Sequence, residues 1–232
     1  MSNKKQSPKK SDGEADKGAI LFKDNIKKHA REEKDTTEVE DQSTESQQTS
    51  AYMVKLVLIG DSAVGKTSIR NNYLGLGFEK EHMTTLGADF AATTKTVDDF
   101  EIKYQIWDLA GQPMFKNVRP RFFKGCFGAL AVFDITRKET FHNLTNWIQE
   151  LYQFSGRGVV PVIVLSNKMD LGEHAVTVEE AQEFIEELNK KTAEHGIENF
   201  FLETSAKTGQ NIDEAFRILG EYIVQRYTSD DD

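Results

Sequence analysis

A six-stranded, mostly parallel α/β sheet with helices on both faces and one antiparallel edge strand is predicted by three features of the chain. From residue 51 onward, short apolar and β-branched runs alternate with longer amphipathic stretches. Two of the runs, Leu130–Ile135 and Val160–Ser166, are almost wholly apolar, the mark of strands buried on both faces of a parallel sheet. Another pair, Phe90–Val97 and Ile102–Trp107, flanks the short acidic turn Asp98-Asp99, and so tight a link reads as a hairpin.

The remaining elements follow in order. Met53–Ile59 is apolar and β-branched and runs straight into a glycine-bearing turn, after which Lys66–Leu76 reads as a helix. Phe200–Glu203 is a shorter strand. Helical stretches lie around Phe141–Phe154, Thr177–His195 and Asn211–Tyr227, and Thr177 with Glu180 forms a capping box at the start of the second. No internal repeat is visible. In such a fold, ligands bind outside the carboxyl ends of the strands.

Composition narrows the classes. The 232 residues carry a net charge of −9, and the isoelectric point is near 5.2, so no basic field points to nucleic acid. The one cysteine, Cys126, cannot form an internal disulfide, which suits a reducing cytosol, and its apolar neighbours make it a small core residue. No run approaches the roughly 20 apolar residues of a membrane span. The Lys-rich start lacks the apolar segment of a secretory signal. Ser2 and the ending Tyr-Thr-Ser-Asp-Asp-Asp encode neither myristoylation nor prenylation, so a cytoplasmic protein without a lipidation signal is expected.

Residues 1–50 lack Trp, Tyr and Cys and are rich in charged and small polar residues, which predicts a disordered, charged extension. The folded domain is expected over 51–228, with an acidic tail at 229–232. Within the extension Ala19, Phe22, Ile26 and Ala30 share one helical face near Lys23, Lys27 and Lys28. That stripe fits a helix docking on a membrane surface or a partner, and fits equally a solvated segment with incidental apolar residues.

Gly60-Asp61-Ser62-Ala63-Val64-Gly65-Lys66-Thr67 matches the phosphate-loop pattern and lies between a predicted strand and a predicted helix that continues through Ser68. Gly60 and Gly65 let backbone N–H groups curl around a β-phosphate, and the helix start adds its positive dipole end. Lys66 would bridge β- and γ-phosphates, and the Thr67 hydroxyl would ligate Mg²⁺. The loop alone leaves GTPase, ATPase and kinase open.

Asn167-Lys168-Met169-Asp170 follows an apolar strand at the expected ligand rim. The Asp170 carboxylate accepts two hydrogen bonds from guanine N1–H and N2–H, a donor pair that adenine lacks. Asn167 would support the base and the neighbouring loop, and the Lys168 stem would cover the ring plane. In Ser205-Ala206-Lys207, after the last strand, the Ala206 N–H can donate to guanine O6. Asp108-Leu109-Ala110-Gly111-Gln112 closes another strand. There Asp108 can hold Mg²⁺ through water, the Gly111 N–H can reach the γ-phosphate, and Gln112 can orient the attacking water.

From about Met53 to Tyr227 the chain resembles the Ras superfamily of small GTPases, whose domain is the P-loop NTPase G domain. The Rab branch is the most similar. Gly60–Ser68, Thr85-Leu86-Gly87-Ala88-Asp89-Phe90, Gln105-Ile106-Trp107-Asp108, Phe133-Asp134-Ile135-Thr136 and Glu203-Thr204-Ser205-Ala206-Lys207 carry that resemblance. It implies GTP and GDP as substrate and product, Mg²⁺ as cofactor, and a monomer with slow turnover. Phe78 resembles the aromatic that packs against guanine. Thr85 resembles the switch I threonine that reaches Mg²⁺ and the γ-phosphate. Residues from about Gln112 to Lys124 would form switch II, read by effectors together with switch I. An exchange factor and a GTPase-activating protein are implied too. No Arg lies between Leu74 and Thr85, so intrinsic turnover on the order of 10⁻⁴–10⁻³ s⁻¹ is expected unless that partner supplies an Arg in trans.

The chain departs from the family in three places. Pro113 follows Gln112 where Glu is usual, which predicts an extended Gln112 and a stiffer switch II. Leu109 replaces the usual Thr. The prenylated cysteines that usually end Rab proteins are missing, leaving residues 1–30 as a weak candidate for membrane contact. His82, in predicted switch I, reads as an exposed loop residue. Two rivals remain: a GTP/GDP-binding scaffold with negligible hydrolysis, kept alive by Pro113, and a P-loop ATPase or kinase, which Asp170 disfavours.

Overall fold

The hydrophobic run Ala51–Ile59 forms strand β1 in a computed structural model that describes residues 51–77, 85–97 and 100–228. The N-terminal extension with its apolar stripe, the Asp98-Asp99 turn, Phe78, His82 and residues 229–232 lie outside the described residues. Five more strands follow: β2 Ala88–Val97, β3 Phe100–Leu109, β4 Gly128–Asp134, β5 Val162–Asn167 and β6 Phe200–Glu203. The helices are α1 Lys66–Tyr73, α2 Pro120–Phe123, α3 Lys138–His142, α4 Leu144–Phe154, α5 Val178–Thr192 and α6 Ile212–Thr228.

The strands form one six-stranded sheet in the order β2-β3-β1-β4-β5-β6. Only β2 runs antiparallel, pairing with β3 from Ala88↔Leu109 to Val97↔Phe100, and the other neighbours are parallel. The predicted α/β architecture is therefore the observed one. Every residue of β4 and β5 is buried, as uninterrupted apolar runs demand of central parallel strands.

Successive side chains of a strand point to opposite faces, and both faces are covered. On one, Val57, Ile59, Phe133 and Val164 join Phe141, Trp147, Leu151 and Ile185 from α3, α4 and α5. Cys126 is buried in that layer, in line with its reading as a core residue. On the other face Tyr73 of α1 stacks on Phe216 of α6 with ring centres 3.7 Å apart. Tyr104 of β3 meets both rings edge-on, and its hydroxyl donates to the Phe216 carbonyl at 3.0 Å.

Helix α5 begins with the predicted capping box: Thr177 Oγ1 accepts from the Glu180 N–H, and the Glu180 carboxylate accepts from the Thr177 N–H. Two predicted helices change length. Helix α1 stops at Tyr73, because the Gly75 and Leu76 N–H groups fold back onto the Asn72 and Asn71 carbonyls. The stretch expected as one helix from Phe141 starts earlier and divides at Asn143, whose side chain is drawn to the phosphate loop. Among the described residues no helix is long and apolar enough to cross a membrane.

Candidate nucleotide site at the carboxyl edge of the sheet

Strands β1, β3, β4, β5 and β6 all deliver their carboxyl ends to the same edge, and the described residues predicted for the site lie at those ends, in the loops beside them or in the first turn of α1. At the end of β1 the chain turns sharply at Gly60, with φ at +131°. A Cβ on Gly60 would stand 2.1 Å from the Val132 carbonyl oxygen of β4, so only glycine fits. Gly65 is the N-cap residue of α1, and Lys66 and Thr67 open that helix. The Lys66 ammonium is buried and donates to the carbonyls of Gly60 and Asp61, both at 2.7 Å. Burial pushes its pKa down to about 8, against the opposing fields of Asp108 and Asp61.

Thr67, Thr85 and Asp108 come from three separate segments and converge. The Thr67 hydroxyl donates to Asp108 Oδ2 at 2.5 Å. With that proton committed, the Thr85 hydroxyl lies 3.0 Å from Thr67 Oγ1 as its donor. Asp108 is fully buried, which raises its pKa despite the Thr67 hydrogen bond and the nearby Lys66 and Arg70 charges. Its other oxygen, Oδ1, has no hydrogen-bond partner among the described residues. An orphaned, buried carboxylate oxygen beside two hydroxyls is a hard-oxygen donor set, and it fits Mg²⁺ completed by water and phosphate oxygens. Among the described residues no cluster of three or more His, Cys, Asp or Glu could hold a metal ion. Arg70, also buried, donates to Asp89 Oδ2 at 2.6 Å and lies 4.0 Å from Asp108 Oδ2.

On the base side, Asn167 Nδ2 donates to the Val64 carbonyl at 2.8 Å, and its Oδ1 accepts from the Ala206 N–H at 3.1 Å. The Ala206 N–H, expected to face guanine O6, is thus engaged by Asn167 here. Asp170 Oδ1 accepts from Ser205 Oγ at 2.7 Å, and Lys207 Nζ lies 3.3 Å from Oδ2. Partial burial alone would raise the Asp170 carboxyl, but Ser205 and Lys207 hold it below its ordinary value. It is ionised at neutral pH and ready to accept. Lys168, in the left-handed region at φ +72°, donates to Asp134 Oδ2 at 2.7 Å.

Gly111 packs straight onto the phosphate loop, where an added Cβ would meet the Asp61 carbonyl carbon and the Ser62 nitrogen at 2.3 Å. Gln112 adopts φ −73° and ψ 141°, the extended conformation that Pro113 imposes, and Pro113–Phe115 then forms a single 3₁₀ turn. Leu109 is fully buried, so its replacement of the usual Thr is a packing change.

Several residues were not singled out from sequence. Asp134 ties together Thr136, Arg137 and Lys168, and Arg137 also donates to the Ser62 carbonyl at 2.9 Å. Asn143 Nδ2 and Trp147 Nε1 donate to the two carboxylate oxygens of Asp61 at 2.7 and 2.9 Å. Arg119 is buried beneath Gln112. Phe90 of β2, Trp107 of β3 and Phe122 of α2 form an aromatic row, with ring centres 5.0 and 5.4 Å apart. Asp134 and Arg137 stand in quoted or adjacent motif residues; Arg119, Asn143 and Trp147 carried no local signal.

A glycine-bearing loop at a helix start, three converging oxygen-bearing side chains and an ionised carboxylate, set along the edge of this sheet, compose a candidate nucleotide site in an α/β protein. The profile of the Ras family matches residues 55–225, and the chain belongs to that family, whose members are GTP-binding, switch-type GTPases that use Mg²⁺.

Proposed function

We propose that this chain is a Rab-like small GTPase that binds GTP, hydrolyses it slowly to GDP and phosphate, and signals through switch I and switch II. The observation that carries the reading is the convergence of Thr67, Thr85 and Asp108 beside Lys66 of the phosphate loop. Lys66 and the loop N–H groups stabilise charge on the β- and γ-phosphates. A phosphate anion there also returns the Lys66 ammonium toward its ordinary pKa, since it supplies the countercharge that burial denies it. Thr67, Thr85 and Asp108 would hold Mg²⁺, which would supply countercharge to the phosphates. The Gly111 N–H holds the γ-phosphate, and Gln112 orients the water that attacks it. Asp170 selects guanine, with Asn167, Ser205, Ala206 and Lys207 shaping the base pocket.

Effectors engage the aromatic row Phe90–Trp107–Phe122, because a row of rings that opens to solvent at Phe90 and is half-buried at Trp107 and Phe122 suits a protein partner. An exchange factor resets the cycle, and an activating protein supplies an arginine in trans. The protein acts as a cytoplasmic monomer. Residues 1–50 form a charged extension outside the domain, with peripheral membrane contact through residues 1–30 at most.

One observation favours a second reading, a scaffold that binds GTP or GDP with negligible hydrolysis: Pro113 holds Gln112 extended. The deciding experiment is single-turnover hydrolysis of pre-loaded GTP beside Gln112→Leu, with ATP as control. Slow, Mg²⁺-dependent hydrolysis that falls in the variant supports the switch. Tight GTP binding with no hydrolysis in either protein supports the scaffold.

A further inference from the structure

We propose that Arg119 is a positioning residue for Gln112: a buried guanidinium that clamps the start of switch II to α4 and, through Trp147, to the phosphate loop. The inference rests on the reading of Gln112 as the residue that orients water.

Arginine is rarely buried unless it is paired, yet Arg119 is only 5% exposed. Its Nη2 donates to the Gln112 carbonyl at 2.9 Å and more weakly to the Gly111 carbonyl at 3.4 Å. Nη1 donates to Glu150 Oε2 of α4 at 3.3 Å. The guanidinium lies 3.8 Å from the centre of the Trp147 ring, a cation–π stack on the same helix. That indole donates to Asp61 Oδ1 at 2.9 Å. A continuous path therefore runs from the Gln112 backbone through Arg119 and Trp147 to the second residue of the phosphate loop.

The clamp acts on a peptide already constrained from two sides. Gly111 abuts the Asp61–Ser62 backbone, and Pro113 sets the extended angles of Gln112. The Gln112 side chain has no such restraint, because its buried Oε1 has no hydrogen-bond partner among the described residues. Its direction is inherited from the backbone, whose Gln112 carbonyl accepts from the Phe115 N–H at 3.1 Å within the 3₁₀ turn and from Arg119, the side chain that ties that turn to α4. A buried ion pair is seldom the cheapest way to stabilise a core, since desolvation offsets most of the attraction. A planar fork that holds two successive carbonyls and a carboxylate at once is a task for which lysine, a single flexible point charge, is no substitute.

The test uses the full chain. Single-turnover GTP hydrolysis, GDP affinity and amide hydrogen exchange over residues 112–118 are measured for the native protein, Arg119→Lys, Gln112→Leu and the double variant. Arg119→Lys is expected to slow hydrolysis by about ten- to a hundredfold, the usual consequence of misplacing a reacting group by a fraction of an ångström to one ångström. Exchange over 112–118 should quicken while GDP affinity barely moves, and the double variant should be no slower than Gln112→Leu alone. Unchanged hydrolysis and exchange in Arg119→Lys would overturn the proposal, as would a loss that adds in full to that of Gln112→Leu. If the native protein hydrolyses negligibly, the function proposed above fails; faster exchange in Arg119→Lys then still supports the clamp, and unchanged exchange overturns it. Should Arg119→Lys not fold, Glu150→Ala, which removes the carboxylate that accepts from Arg119 Nη1 and so frees the guanidinium from that tie to α4, is read by the same criteria.

Discussion

The side-chain amide of Asn167 donates to the carbonyl of Val64 at 2.8 Å, joining the end of β5 to the phosphate loop across 103 residues of chain. The same side chain accepts from the Ala206 N–H at 3.1 Å, so one buried residue holds three segments in register. Asn167→Ala strands a buried carbonyl and a buried N–H, each costing about 1–3 kcal/mol. Release of a fluorescent GDP analogue should then accelerate by on the order of ten- to a hundredfold, with a lower melting temperature. A release rate equal to that of the native protein would show that the three segments are held by other contacts.

Asp170→Asn should change which base is bound. The carboxylate offers two acceptors to the guanine N1–H and N2–H donors, whereas an amide offers one acceptor and one donor. Xanthine, with a carbonyl in place of the amino group, matches that amide. Preference for GTP over XTP should fall by on the order of 10⁴-fold, the usual penalty when a hydrogen-bonding site meets the wrong partner. Competition between the two nucleotides measures it directly.

Lys66 makes stability depend on pH in a definite direction. Its folded pKa, about 8, lies below its ordinary 10.5, so between those values the unfolded chain holds a proton that the folded chain has lost. Stability of the nucleotide-free protein should thus be flat below about pH 8 and rise up to about 10.5, by roughly 3 kcal/mol from this group. Urea unfolding of the native protein and of Lys66→Met isolates the contribution as their difference. A difference that stays constant from pH 7 to 10.5 would contradict the burial-driven shift.

Pro113→Glu should loosen the Gln112 backbone. Removing a proline of compatible geometry changes the conformational balance by about 0.4–1 kcal/mol, or roughly two- to fivefold in a rate that depends on it. Intrinsic hydrolysis is expected to fall by that factor, since the held, extended backbone directs Gln112 at the water. A rise instead would mean that the extended Gln112 imposed by Pro113 is the unproductive conformation.

Much of this site was legible in the sequence because its parts are locally dictated. Gly60, Gly65, Lys66 and Thr67 stand where a strand must turn into a helix around an anion, and Pro113 acts on its immediate neighbour Gln112. The capping box of α5 is likewise a four-residue signal. The Lys168–Asp134 pair and the Asp61–Trp147–Arg119–Gln112 path were not legible. They join residues that meet only once the sheet order has brought β4, β5 and α4 beside the phosphate loop. Lys168 shows the difference: its position in the motif was readable, but not that its ammonium is held by Asp134. The division of α3 from α4 escaped for the same reason, since Asn143 answers to Asp61 in the distant phosphate loop.

The single thiol has a practical consequence. Cys126 is fully buried, and burial pushes its pKa up to about 12, so almost none of it is thiolate at neutral pH. Towards alkylating dyes the folded protein is a blank slate. A cysteine placed on either switch would be labelled alone, and any slow reaction at Cys126 itself would count the molecules that have opened their core.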